Sequence, residues 1–209
     1  MFRKSLAASG VALAAFAFAA CSAPSPAADT GKTPDTAPVE SAPTPEASTP
    51  APESEFGEKV LSTRGNMIKQ IGQLAGTGIS GDPDTIGSRF VVTDIVLDPV
   101  CDSGWSDTPA NGHYLALHIN VETTPELAQS DNPEVWFSPY DWQSYDPHGK
   151  RLNDPVGNAW SCMSEAATLP SSVGPGQSVS GYIVLDVAAT TGTVVMTLGG
   201  GPTGWEWDY

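Results

Sequence analysis

Few side chains in this sequence can do chemistry, and their spacing limits what they can do together. Three histidines are present: His113, His118 and His148. His113 and His118 lie five apart in the alternating stretch Gly112–Glu122, GHYLALHINVE. On a strand an odd offset sends two side chains to opposite faces, so this pair cannot share a metal. His148 falls in Asp146-Pro147-His148-Gly149, which reads as a turn. There is no Cys-x-x-Cys, so a zinc site is not expected. Asp82-Pro83-Asp84 lacks the closing glutamate of a calcium loop. Gly176-Gln177-Ser178-Val179-Ser180-Gly181 has the wrong spacing for a serine nucleophile elbow and leads into a strand. Glu122 and Glu126 flank Pro125 and read as solvated edge residues. A carboxylate pair for glycoside hydrolysis needs a set distance that sequence spacing does not supply. The expectation is no catalytic set, no metal and no cofactor.

The aromatic residues are more suggestive. Trp136, Phe137, Tyr140, Trp142, Tyr145 and Trp160 gather within 25 residues. The plainer reading, and the favoured one, is core and loop packing. The sharper reading is a stacking platform for a sugar, or an exposed protein-binding patch, built from Trp136, Tyr140, Trp142 and Tyr145. Deep burial of both Trp136 and Trp142 would end the sharper reading.

Net charge narrows the partners. The chain has 209 residues and a formal charge of −15. No basic cluster is present to displace counterions from phosphates, so nucleic acid is excluded. Electrostatic docking onto anionic lipid is excluded for the same reason. The charge mostly serves solubility.

The N-terminus carries an export signal. Arg3 and Lys4 precede an apolar run from Leu6 to Ala20, too short for a comfortable membrane span. The run ends Phe18-Ala19-Ala20-Cys21. Small residues just before a cysteine resemble the lipobox of bacterial lipoproteins. That resemblance implies cleavage before Cys21 and a lipid on its sulfur. The alternative is an ordinary signal cut near Ala17-Phe18-Ala19, leaving a free thiol. Lipidation is preferred, because a free exposed cysteine is a liability in an oxidising compartment. Two or three acyl chains, as lipoprotein maturation supplies, would make the anchor effectively permanent. Residues 1–20 are therefore read as signal peptide. Cys21–Phe56, rich in Pro, Ala, Thr, Ser and Glu, is read as a disordered linker. At about 3.1 Å per residue it reaches on the order of 100 Å, enough to hold a head away from the membrane.

Gly57–Tyr209 is long enough for one hydrophobic core. Its central line is Gly112–Glu122, where Leu115, Leu117, Ile119 and Val121 share one face and Tyr114, Ala116, His118 and Asn120 the other. Arg89–Val100 reads as a strand with two apolar faces, central in a sheet, followed closely by Cys101. Arg64–Thr77 reads as an extended lead-in with one helical turn. Trp142–Tyr145 and Lys150–Leu152 read as a hairpin about a Pro/Gly turn. Trp160–Leu169, which holds Cys162, reads as either helix or strand. Ser178–Val187, Thr193–Leu198 and Gly204–Tyr209 read as strands, the last with Trp205, Trp207 and Tyr209 on one face. Short strands, regular turn signals and no sustained helical stripe predict an all-β sandwich. Once Cys21 carries lipid, Cys101 and Cys162 are the natural disulfide.

A wider resemblance rests on several segments together. They are Arg64-Gly65-Asn66 with Ile71-Gly72, and Val92-Thr93-Asp94-Ile95 leading to Cys101. Asn111-Gly112-His113-Tyr114, Val121–Leu127 and Asp146-Pro147-His148-Gly149 follow. Ser161-Cys162, Gly174–Gly181 and Trp205-Glu206-Trp207 complete the set. The ensemble resembles actinobacterial cell-surface lipoproteins whose C-terminal head is an immunoglobulin-like domain of unknown function. That domain is similar in fold to a secreted mycobacterial immunoprotective antigen. The resemblance covers most of Gly57–Tyr209. It implies an immunoglobulin-like β-sandwich at the extracytoplasmic face of the cell membrane, and it implies no reaction. The expected function is non-catalytic binding of an envelope or extracellular protein. The alternatives are a small-ligand carrier and, more weakly, an envelope hydrolase using paired carboxylates.

Overall fold

The computed structural model describes residues 55–209. The expected signal peptide, Cys21 and all but the last two residues of the expected linker lie outside them.

Ten strands form the head: β1 (Met67–Ile68), β2 (Leu74–Thr77), β3 (Ser88–Leu97), β4 (His113–Thr123), β5 (Val135–Trp136), β6 (Trp142–Tyr145), β7 (Ser172–Val173), β8 (Ser178–Val187), β9 (Thr193–Met196) and β10 (Trp205–Asp208). One sheet has the order β2-β3-β4-β8 and is antiparallel throughout. The other has the order β1-β10-β9-β6, with β1 parallel to β10. β5 and β7 make a small separate pair. Among the described residues helical structure is confined to single 3-10 turns, none longer than the five residues Pro125–Gln129. Among the described residues no helix is long and apolar enough to cross a membrane. The fold is all-β and compatible with a two-sheet sandwich.

Both sheets feed one core. Leu115, Leu117, Ile119 and Val121 of β4 are completely buried, as their period of two requires. Each contributes about 1.5–3 kcal/mol of transfer free energy. They meet Phe90 and Val92 of β3, Ile183, Leu185 and Val187 of β8, and Trp142, Val194, Met196, Trp205 and Trp207 from the second sheet. Phe90 packs edge-on against both Phe137 and Trp205. The buried indole N–H groups of Trp142 and Trp207 find no protein acceptor.

Several local expectations change. β3 is central, but a bulge between Val92 and Asp94 shifts its phase. Phe90 and Val92 point inward before it, and Ile95 and Leu97 pack on the core after it. Thr93, at the bulge, bonds His118 instead. Arg64–Thr77 has no helical turn: β1 belongs to one sheet and β2 to the other. β6 takes β9 as its partner. Its expected hairpin mate supplies a single bridge, Tyr145 to Arg151, flanked by backbone bonds from Asp146 to Lys150 and from Leu152 to Ser144, and the Asp146 carboxylate caps the turn by accepting from the amides of His148 and Lys150. Trp160–Leu169 is mostly irregular, with one 3-10 turn at Ala159–Ser161. Glu55 and Phe56, at the end of the expected linker, already touch the head. The Glu55 carboxylate accepts from Arg89, and the Phe56 carbonyl accepts from Lys69 and Gln73.

Lys69 sits where the chain crosses between sheets. Its buried ammonium donates to the carbonyls of Phe56 and Leu74, at 2.8 and 2.7 Å. Burial lowers its pKa below the ordinary lysine value. Between that lowered value and 10.5 the unfolded chain binds more protons than the native one. Stability from this group therefore rises as pH climbs through that window and is flat below it. Denaturant midpoints measured across alkaline pH should rise in the wild type relative to Lys69→Met, in which this contribution to the slope is absent.

Candidate functional site

The outer face of the β2-β3-β4-β8 sheet is bare at one end and covered at the other. Asn120 and Glu122 are exposed, whereas Tyr114 and Ala116, on the same face of β4, are buried. Two loops cover them, one following β3 (98–112) and one preceding β7 (154–168). Tyr114, Ala116, Ala159, Cys162 and Val184 form a second small core beneath these loops.

Polar contacts and a disulfide hold the loops as well as packing. The Cys101–Cys162 disulfide joins them, with its Cα atoms 4.6 Å apart. The Tyr114 hydroxyl reaches the carbonyl of Asp107 at 2.9 Å. The Ser161 hydroxyl donates to the Asn158 carbonyl and accepts from the Asp107 amide. Asp186 of β8 lies beneath both loops with no exposed surface. Its carboxylate accepts from the backbone amides of Ala110 (2.6 Å), Asn111 (2.8 Å) and Asn158 (3.0 Å). A Cβ on Gly157, whose φ is +43°, would run into this carboxylate.

On this clamped base stand two tryptophans. Trp105 is 59% exposed and Trp160 is 60% exposed. Their ring centroids are 5.1 Å apart and the planes meet at 49°, an open V. Trp160 rides on the 3-10 turn beside Cys162, and the Trp105 amide bonds the Ser103 hydroxyl, which itself donates to the Ser161 carbonyl. The same loops carry the exposed acids Asp102, Asp107 and Glu165. Asp102 accepts from the Ser164 amide and hydroxyl, and these bonds hold its pKa below the ordinary carboxylate value. Beside Trp160 lies an open groove of about 210 Å³, bordered by Pro139, Met163, Thr168 and Tyr182.

The favoured reading of core packing holds for Phe137 and Trp142, and the sharper reading of a platform loses Trp142 but keeps Trp136 at the surface. Trp142 is in the core, ring to ring with Trp207 at 5.6 Å, and cannot meet a surface partner. Its place on β6 points it between the sheets, which spacing along the chain could not reveal. Trp136 and Tyr140 are exposed. Tyr145 is half-buried under the Arg64 guanidinium, 4.7 Å from its ring centre. Arg64 in turn pairs with the buried carboxylate of Glu206. His113 bonds Asp98, His118 packs on Tyr182, and His148 lies in the Asp146 turn. Among the described residues no three His, Cys, Asp or Glu side chains converge as a metal site would require.

The Trp105–Trp160 pair was hidden in the sequence by the 54 residues between its members. The cysteines held the signal. Trp105 follows Cys101 by four residues and Trp160 precedes Cys162 by two, so a Cys101–Cys162 bond brings both rings to one end of the head.

Comparison with known proteins adds no relative: no protein family, curated protein or solved structure matches the chain.

Proposed function

We propose that this protein is an envelope lipoprotein, anchored through Cys21 at the extracytoplasmic face of the cell membrane. Its immunoglobulin-like head binds a partner protein and catalyses nothing. The observation carrying the binding role is the Trp105–Trp160 pair, more than half exposed on loops fixed by a disulfide and a buried carboxylate. Large aromatics held rigidly at a surface have the character of interface anchors, because little entropy remains to be lost on docking. The two-sheet core supports the immunoglobulin-like reading. The signal, the lipobox-like Cys21 and the Pro-rich linker support the anchor.

The alternatives have less behind them. The groove beside Trp160 is smaller than the roughly 300–1,000 Å³ of ordinary small-molecule sites, which weighs against a carrier site at this end. Burial raises the pKa of Asp141, yet its carboxylate accepts from the Ser138 amide and caps the turn at Pro139. That role is structural and lends a hydrolase no support.

Proximity labelling on intact cells tests the reading. The wild-type head should label a reproducible protein neighbour, and Trp105→Ala/Trp160→Ala should lose it while melting at the wild-type temperature. Intact-mass analysis should find a diacylglyceryl group on Cys21 that Cys21→Ala lacks. An unmodified mature polypeptide would end the anchor, and a neighbour that survives loss of both tryptophans would end this binding surface.

A further inference from the structure

The end of the head that displays the two tryptophans carries no positive charge from lysine or arginine. After Arg89 no lysine or arginine occurs until Lys150, and after Arg151 none occurs through Tyr209. Neither covering loop therefore contains one. The cations of the head are engaged or placed elsewhere. Arg64 pairs with Glu206, Arg89 with Glu55, and Lys69 is buried against carbonyls. Lys150 and Arg151 adjoin the Asp146 turn, and Lys59 borders β1. The loops that carry the exposed rings also carry the exposed acids Asp102, Asp107 and Glu165.

These features specify a partner chemistry. The face of an indole carries negative quadrupolar potential and is the best aromatic surface for a cation. Two rings open at 49° present faces that an alkyl stem can lie along while its charged head reaches the acidic rim. Flanking carboxylates steer a cationic partner and repel an anionic one. A neutral sugar could stack on the same rings, but it would gain nothing from the exclusion of lysine and arginine from both loops. Resting on the reading of this end as a binding surface, we propose that the Trp105–Trp160 pair docks a lysine- or arginine-bearing segment of a partner polypeptide. The basic side chain lies against the indoles, Asp107 and Glu165 face its charge, and the groove bordered by Met163 and Tyr182 receives an adjoining apolar residue.

Calorimetric titration of the full-length protein in neutral detergent tests this with three probes: hexaarginine, hexalysine and neutral chitohexaose. The basic peptides should bind and chitohexaose should not. Affinity should fall about tenfold when added salt shortens the Debye length from about 10 Å to about 3 Å. Trp105→Ala/Trp160→Ala should weaken hexaarginine at least tenfold, Trp105→Phe/Trp160→Phe less, and Asp107→Asn/Glu165→Gln severalfold, all at unchanged melting temperature. Peptide binding that ignores the tryptophans would mean diffuse attraction to an acidic protein and would overturn the proposal. So would the absence of peptide binding. Tryptophan-dependent binding of chitohexaose alone would overturn the cationic partner while leaving the binding surface standing. Loss of tryptophan dependence in the labelling experiment as well would remove both.

Discussion

Asp186→Asn is expected to destabilise the head by about 2–5 kcal/mol, because one or two buried backbone donors lose their acceptor. The carboxylate is fully buried and accepts three backbone N–H groups, two at one oxygen and one at the other. Asparagine has nearly the same shape but only one acceptor oxygen. Its amide nitrogen would face donors from Ala110 and Asn158, or from Asn111, in whichever orientation it settles. Each buried donor left unmet costs about 1–3 kcal/mol, and bonds to a charged acceptor are worth more than neutral ones. Lengthening the side chain offers no escape, because Gly157 already lies against the carboxylate. Domains of this size are stable by only about 5–15 kcal/mol, so this single atom change removes a large share. A urea midpoint followed by far-UV circular dichroism, with an unchanged slope, measures it. A loss under about 1 kcal/mol would mean that these amides find other acceptors, and that Asp186 does not hold the loops.

The fold was legible where alternation is clean. β4 and β8 follow a period of two, and their inward residues are the core. β10 was equally plain, since Trp205, Trp207 and Tyr209 can share a face only on a strand. β3 misled because a bulge is a geometric event at one residue, and Val91-Val92-Thr93 looks like unbroken strand. The buried role of Asp186 was hidden for a related reason. Alternation sets it beside Ser180 and Tyr182 on the outer face, and an outer face is usually wet. Whether it is wet depends on Ala110, Asn111 and Asn158, distant in sequence, which local pattern cannot report. The aromatic set divided for another reason. Sequence density gathered Trp142 with Trp136 and Tyr140, but they lie on three different elements, β6, β5 and the 3-10 turn Pro139–Asp141, so proximity in the chain did not mean a shared surface. The exposed pair, Trp105 with Trp160, is distant in sequence, and its two loops are joined by a disulfide that the cysteine count had already suggested.

Removing that bond with Cys101→Ser/Cys162→Ser should cost about 4 kcal/mol, from the loop-closure entropy regained by the unfolded chain. The cysteines are 61 apart in sequence, so the constraint lost is a long one. The change should begin locally. Without the bond, the loop carrying Trp105 is held by exposed Asp102–Ser164 bonds beside the former disulfide, by the Asp107 and Ser103 contacts, and by the buried Asp186 carboxylate at its far end. Trp105 stands nearer the cysteine than the aspartate, so its fluorescence and its contact with Trp160 should change at denaturant concentrations that leave the sheets intact. Because disulfide and carboxylate restrain the same two loops, their losses should not add. Once either variant has let the loops open, the other removes less, and a double-mutant cycle should show a coupling of about 0.5–3 kcal/mol. Strict additivity would place the two restraints on independent structures and refute the picture of one clamped end. Coupling, together with lost hexaarginine binding in a disulfide-free head whose sheets remain folded, would show that the clamp orders the tryptophans as well as stabilising the domain.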